Sequence, residues 1–249
     1  MRVNRIALRV VCAVACVVCL CTAMLSAGAA WPFEVGEALH YKLGWGAVQN
    51  AADVRVEFVE RRDLSGVVTA HFRASLHSVA PLRTLFPVDD IFDSYSDVRT
   101  LDSRQYEFHL DELGEKETRV RRLATTATMR SVSAPRVIVP SGTRDPLGML
   151  YELRMVDWRT RGGGEYKAPM YDGNDVFEVR VHLEVAEETV AVDAGNFQAE
   201  KVEARLYQHG VEVPKTVLTM WFANDARRTP VLLEAEMPYG KVRAELEGK

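Results

Sequence analysis

Four aspartates stand close together in the chain: Asp89, Asp90, Asp93 and Asp97. Hard cations such as calcium take several oxygen ligands at once, so a cluster of this kind is a candidate for weak cation binding. The spacing lacks the glycine and the closing glutamate of a helix-loop-helix calcium loop. A structural reading stands beside it, in which the aspartates cap turns and accept backbone hydrogen bonds at the start of a strand. The six histidines, His40, His71, His77, His109, His182 and His209, are scattered, and no pair has zinc-ligand spacing. No Gly-x-Ser-x-Gly elbow is present, and Gly162-Gly163-Gly164 lacks the lysine and hydroxyl of a phosphate loop. No residue is assigned a catalytic role, and neither a metal nor a cofactor is expected.

Aromatic residues and one arginine supply the other candidate chemistry. Tyr41, Trp45, Tyr151 and Trp158, with Phe72, could face an apolar or amphipathic ligand, or simply fill a core. Arg154 falls on the same helical face as Leu147, Leu150 and Tyr151. There it either grips an anionic ligand or pairs with a carboxylate such as Asp89, Asp90 or Asp93, because a buried guanidinium needs a partner. Asp225 and Arg228, three apart in a turn, are spaced for a local ion pair.

The elements that must position these groups are mostly strands. Leu39, Tyr41, Leu43 and Trp45 alternate with Ala38, His40, Lys42 and Gly44. The same period of two runs through Ala52 to Phe58, Val68 to Leu76, Tyr106 to Leu110, Phe177 to Val185, Leu218 to Phe222, Val231 to Met237 and Val242 to Leu246. One buried and one wet face is the habit of antiparallel sheets. The stretch from Lys116 to Ser133 is polar on both faces and fits a pair of strands at a sheet edge. Asp172-Gly173, Ala194-Gly195-Asn196, Gln208-His209-Gly210, Asn224-Asp225 and Tyr239-Gly240 mark turns. One helix is predicted, capped by Asp145, opened by Pro146 and running to about Trp158. The pattern predicts a mainly β protein: a strongly curved antiparallel sheet or open barrel of about a dozen strands, holding that helix.

At the N-terminus, Arg2, Arg5 and Arg9 precede an uncharged run from Val10 to Leu25, and small residues follow to Ala30. That is the layout of a secretory signal peptide, with cleavage expected near Ala30 and a single β-rich domain from residue 31 to 249. An uncleaved anchor or a lipid anchor on Cys16 or Cys21 is the minority alternative. All four cysteines lie in this segment, so the mature chain holds no disulfide. Removing the three arginines takes the net charge from −4 to −7. An acidic exported domain is poorly suited to nucleic acid, and that class of partner is set aside.

Gly36-Glu37 with Leu39, Tyr41 and Trp45-Gly46 resembles the opening of a bacterial envelope family, domain of unknown function 3108. Phe86-Pro87-Val88-Asp89-Asp90 with Ser94 matches it too. So do Asp145-Pro146-Leu147 with Leu150-Tyr151-Glu152-Leu153-Arg154, Ala194-Gly195 with Phe197, Trp221 with Asp225 and Arg228, and the strand from Gly240 to Leu246. The resemblance spans nearly all of the mature chain. It departs at Asn50-Ala51, where the family often has a small residue and Gly, and at Gly148, where it often has Ser. What it implies is a periplasmic protein with a signal peptide; no activity comes with it. A looser likeness, of architecture only, is to the half-barrel carriers that ferry lipoproteins between membranes. The expected function is a non-catalytic periplasmic binding or carrier protein for a lipid, a lipoprotein or another apolar envelope ligand. Two alternatives are an assembly factor that docks an envelope protein and a carboxylate-dependent hydrolase of envelope glycans or lipids.

Overall fold

Among the described residues, thirteen strands form one sheet that is antiparallel throughout except at one edge. The computed structural model describes residues 31–125, 136–161, 163–237 and 240–248. The expected signal peptide, Tyr239 of the last turn and most of the second predicted edge strand lie outside the described residues. In chain order the strands are β1 (Ala38–Trp45), β2 (Val48–Leu64), β3 (Val67–Ser78), β4 (Asp89–Asp97), β5 (Ser103–Glu112), β6 (Glu115–Ala124) and β7 (Val137–Ile138). After helix α1 (Pro146–Leu153) come β8 (Tyr166–Tyr171), β9 (Val176–Val192), β10 (Gly195–Gln208), β11 (Val211–Ala223), β12 (Pro230–Met237) and β13 (Gly240–Leu246).

The order across the sheet is β7-β6-β5-β4-β3-β2-β1-β13-β12-β11-β10-β9-β8. Each strand pairs with its neighbour in sequence except β7 and β8, which form the two edges, and β13 returns to pair with β1 through Tyr41↔Leu246 and Trp45↔Val242. The exception to antiparallel pairing is β7, which runs parallel to β6. Such a meander puts alternate turns at opposite ends. One end, the rim, carries the β1–β2, β3–β4, β5–β6, β8–β9, β10–β11 and β12–β13 turns. The other, the base, carries residues 32–37 and the loop at 224–229.

The alternation explains both faces. In β3, Ala70 and Phe72 point inward and are fully buried, and in β9 Val179 and Val181 do the same. Register shifts beside Phe58, Ala199 and Arg205 mark bulges, which bend long strands. Among the described residues the sheet is not closed by pairing of its two edge strands, β7 and β8. Its edges meet instead through side chains: Arg121 Nε of β6 donates to the Gly173 carbonyl at 3.1 Å. Tyr106, Leu123, Val139 and Tyr171 form a small apolar cluster there.

Helix α1 lies within the curve and buries Leu147, Gly148, Met149, Tyr151 and Leu153. Its N-cap is the one the sequence indicates. Asp145 Oδ1 accepts from the Gly148 amide at 2.9 Å, and Oδ2 accepts from Ser94 and Ser103 hydroxyls at 2.6 and 2.5 Å. Burial pushes the Asp145 carboxyl up, and these donors pull it back. The cap thereby ties the helix to β4 and β5. The C-terminal end corrects the expectation: the helix stops at Leu153, not Trp158. Beyond it Met155 and Val156 tighten onto the Glu152 and Leu153 carbonyls. The cause is tertiary, since Arg154 is held to the base and the chain turns there.

Candidate functional site

Between α1 and strands β8 to β12, the interior is not filled. A cavity of about 380 Å³ opens there, toward the rim. Met149, Leu150 and Leu153 of the helix form one wall. Met170, Val179, Ala204, Leu206, Leu218, Met220, Leu233 and Ala235 form the sheet wall, each supplied by the inward face of its strand. Pro146, Thr216, Val217 and Glu236 complete the lining, and Glu236 is the single charged residue among them. The volume lies within the roughly 300–1,000 Å³ usual for small-molecule sites. Three methionines contribute to the wall, and their unbranched thioethers adapt to irregular apolar shapes. At the cavity's rim side, pairing jumps from Tyr207↔Glu212 to Arg205↔Val217. Residues 213–216 therefore bulge out of β11 beside the opening.

Tyr41, Trp45, Tyr151, Arg154 and Trp158 do not line this cavity. Tyr151 is buried in an aromatic cluster nearer the base, stacked on Phe72 at 3.8 Å and edge-on to Phe33 at 4.7 Å. Contacts of this kind add about 0.5–1.5 kcal/mol each beyond area burial. Arg154 is 1% exposed. Its Nη1 and Nη2 donate to Glu37 at 2.6 and 2.8 Å, and Nη2 also donates to the Arg227 carbonyl at 2.9 Å. The guanidinium lies 4.9 Å over Phe33 and 5.2 Å over Tyr151. Its carboxylate partner is thus Glu37 rather than Asp89, Asp90 or Asp93, and both nitrogens of the fork's open end are engaged within the protein. Tyr41 donates to the Pro230 carbonyl at 2.7 Å, and burial raises its phenol. Trp158 packs beside Met149, Leu153 and Tyr166 in the main core cluster. Trp45 sits at the rim, next to Gly240.

The four aspartates all fall on β4 but do not converge. Asp89 is hydrogen-bonded to Arg83 and His77, and these bonds, the Arg83 guanidinium first, hold its carboxyl well below the usual carboxylate range. Asp90, on the opposite face, accepts the Asp111 amide at 3.0 Å. Asp93 binds His71 at 2.5 Å and Arg73 at 2.7 Å. Asp97 binds Arg104 at 2.8 Å and the Arg99 amide at 2.9 Å. Each therefore has its own partners, as alternate strand residues must. The spacing of Asp225 and Arg228 also misleads: Arg228 reaches Glu200 at 2.6 Å, and Asp225 accepts from Thr229.

Comparison with known proteins places this fold. A family model, protein of unknown function DUF3108, matches residues 40–247. The chain belongs to DUF3108. None of the curated proteins matches it. Among solved structures, this DUF3108 chain is similar to a β-barrel-like protein of the domain of unknown function DUF1849 from Brucella abortus. The two are 12% identical, the match covers 85% of this chain and 95% of that one, and the TM-score is 0.53. That likeness shows the fold alone. A proposed exported protein with a YmcC-like fold from Bacteroides fragilis matches more distantly, at 14% identity over 88% of this chain and 97% of that one, with a TM-score of 0.37. A proposed lipoprotein from Parabacteroides distasonis gives 11%, 88%, 96% and 0.35. For DUF3108 the findings therefore stop at an open, barrel-like β fold without an assigned role.

The cavity residues were not separable in the sequence. Ala204, Leu206, Leu218 and Leu233 show the same alternation as residues packed in the core, and only the position of α1 leaves space against them.

Proposed function

We propose that this protein is an exported, non-catalytic binding or carrier protein for an apolar or amphipathic ligand, held between α1 and strands β8 to β12. The observation that carries this reading is the cavity of about 380 Å³ with an almost wholly apolar wall. A packed core of this size leaves few voids larger than a water molecule. Water gains few hydrogen bonds from such a wall, so an apolar occupant is favoured over solvent. The N-terminal signal-peptide pattern supports export and, with it, a periplasmic location. Glu236 is alone among the lining residues in carrying a carboxylate. Glycoside cleavage by a facing pair needs two, so the hydrolase reading gains nothing from this site.

The test is native mass spectrometry of protein purified from the periplasm, followed by organic extraction and lipid analysis. A lipid present in stoichiometric amount supports the reading. A mass equal to that of the bare chain, unchanged after incubation with long-chain fatty acid or phospholipid vesicles, overturns it.

The assembly-factor reading rests on one observation of its own. Leu85, Phe86 and Leu113 are exposed on neighbouring rim turns, joined where the Leu113 amide donates to the Pro87 carbonyl at 2.9 Å. Apolar side chains grouped on a surface are candidates for contact with a partner.

A further inference from the structure

The outer face of the sheet carries a second constellation, remote from the cavity. Asp93 of β4 stands beside Glu107 and His109 of β5, on strands paired through Asp93↔Glu107 and Ile91↔His109. Each of the three side chains offers one donor atom, and these atoms lie within 4.8 Å of one another. His109 Nε2 lies 3.8 Å from Asp93 Oδ2 and 3.4 Å from Glu107 Oε2. We infer that these three side chains form a binding site for one divalent transition cation of the zinc class.

Three features beyond proximity support the assignment. Tetrahedral zinc with donors at about 2.1 Å holds them about 3.4 Å apart, so the two separations from His109 Nε2 need little adjustment. One imidazole with two carboxylates and remaining positions open to water is a donor set that suits zinc better than calcium or magnesium, which take oxygen alone.

The third feature is that each ligand is held from behind. Asp93 Oδ1 accepts from His71 Nε2 at 2.5 Å and Arg73 Nε at 2.7 Å. Oδ2 accepts only Arg73 Nη2, at 3.1 Å, which leaves it a lone pair. Glu107 Oε1 accepts from Gln105 Nε2 at 2.5 Å, leaving Oε2 toward His109. His109 Nδ1 lies 3.4 Å from the Thr118 hydroxyl on the neighbouring strand, which leaves Nε2 as the ring nitrogen turned toward Asp93 and Glu107. Partners of this kind fix the orientation of metal ligands. The group His182, Glu184 and Glu203 makes a useful contrast. There His182 Nε2 is already bound to Glu184 at 2.5 Å, a contact a metal would have to break.

The experiment is a titration of the chelator-stripped protein with zinc by calorimetry and with cobalt(II) by visible absorption. One ion per chain is expected, with a cobalt d–d band. His109→Gln and Glu107→Gln should each weaken binding at least about tenfold, and so should Gln105→Ala, which removes no ligand. His182→Gln should change nothing. Circular dichroism checks that each variant keeps its fold, which the half-exposed position of His109 favours. Absence of saturable binding overturns the assignment, as does binding that survives His109→Gln or is lost with His182→Gln.

Discussion

Arg154 and Glu37, 117 residues apart in sequence, form a two-pronged ion pair that joins the end of α1 to the segment entering β1. Both side chains are almost fully buried. The pair sits at the base with the Arg227 carbonyl, so three distant parts of the chain meet at one guanidinium. Cutting it from either side leaves a buried charge without a partner.

The first prediction follows. Arg154→Ala or Glu37→Ala should each destabilise the fold by about 3–5 kcal/mol, read from the midpoint of urea unfolding. The double change Arg154→Met with Glu37→Met should cost less than the sum of the single ones, because neither charge is then stranded. A guanidinium reserved for a ligand would behave otherwise, with stability unmoved by Glu37→Ala.

This pair also shows where sequence reading stops. The start of α1 was legible because Asp145 and Pro146 act on their immediate neighbours. Its end was not, because Arg154 is fixed by a residue that no local spacing reveals. The strands were legible wherever one face is wet, as in Phe177 to Val185. β4 was harder to read, since Asp93, Ser94, Tyr95, Ser96 and Asp97 are all buried and polar residues occupy both faces. The meeting of Asp93, Glu107 and His109 depends on the register between β4 and β5, which turn length and bulges set.

A second prediction concerns acid. Burial raises the Asp97 carboxyl, but the Arg104 guanidinium and the Arg99 amide outweigh it and hold the group below its ordinary value. The folded state then releases this proton more readily than the unfolded chain does. Its contribution is complete above the ordinary carboxylate value, about 4, and disappears as pH falls through the lowered one. Asp97→Asn should therefore cost about 1–3 kcal/mol at neutral pH. The stability curves of the two proteins should converge as the pH is lowered. A difference independent of pH would mean that the Asp97 charge is not what matters.

A third prediction tests how the open sheet is closed. Gly173, in the β8–β9 turn, has φ +110°, and a Cβ built on it would stand 2.1 Å from Phe108 Cζ of β5. Phe108 is itself wedged against Tyr106, with ring centroids 4.4 Å apart. Gly173→Ala should thus carry both backbone strain and a clash, together about 2–5 kcal/mol. Phe108→Leu on that background should recover the clash but not the strain. Equal stability of Gly173→Ala and wild type would show that the two sheet edges are free to part.

The last prediction separates a ligand site from a packing defect. Ala204 sits on β10 in the cavity wall and is buried. A larger apolar side chain there grows into empty space instead of against neighbours, so the usual overpacking cost of about 1–3 kcal/mol should not appear. Ala204→Leu should leave the unfolding midpoint equal or higher, through added apolar burial worth roughly 0.8 kcal/mol per methylene. The same change should reduce binding of a fluorescent long-chain fatty acid at least about tenfold, since it takes up volume the chain would occupy. Leu218→Ala, which enlarges the space, should instead lower stability while retaining binding. If Ala204→Leu destabilises the protein strongly, the space is already filled by motions of the methionine wall, and the cavity is not a site. If it stabilises but leaves fatty-acid binding untouched, the ligand sits elsewhere on the molecule.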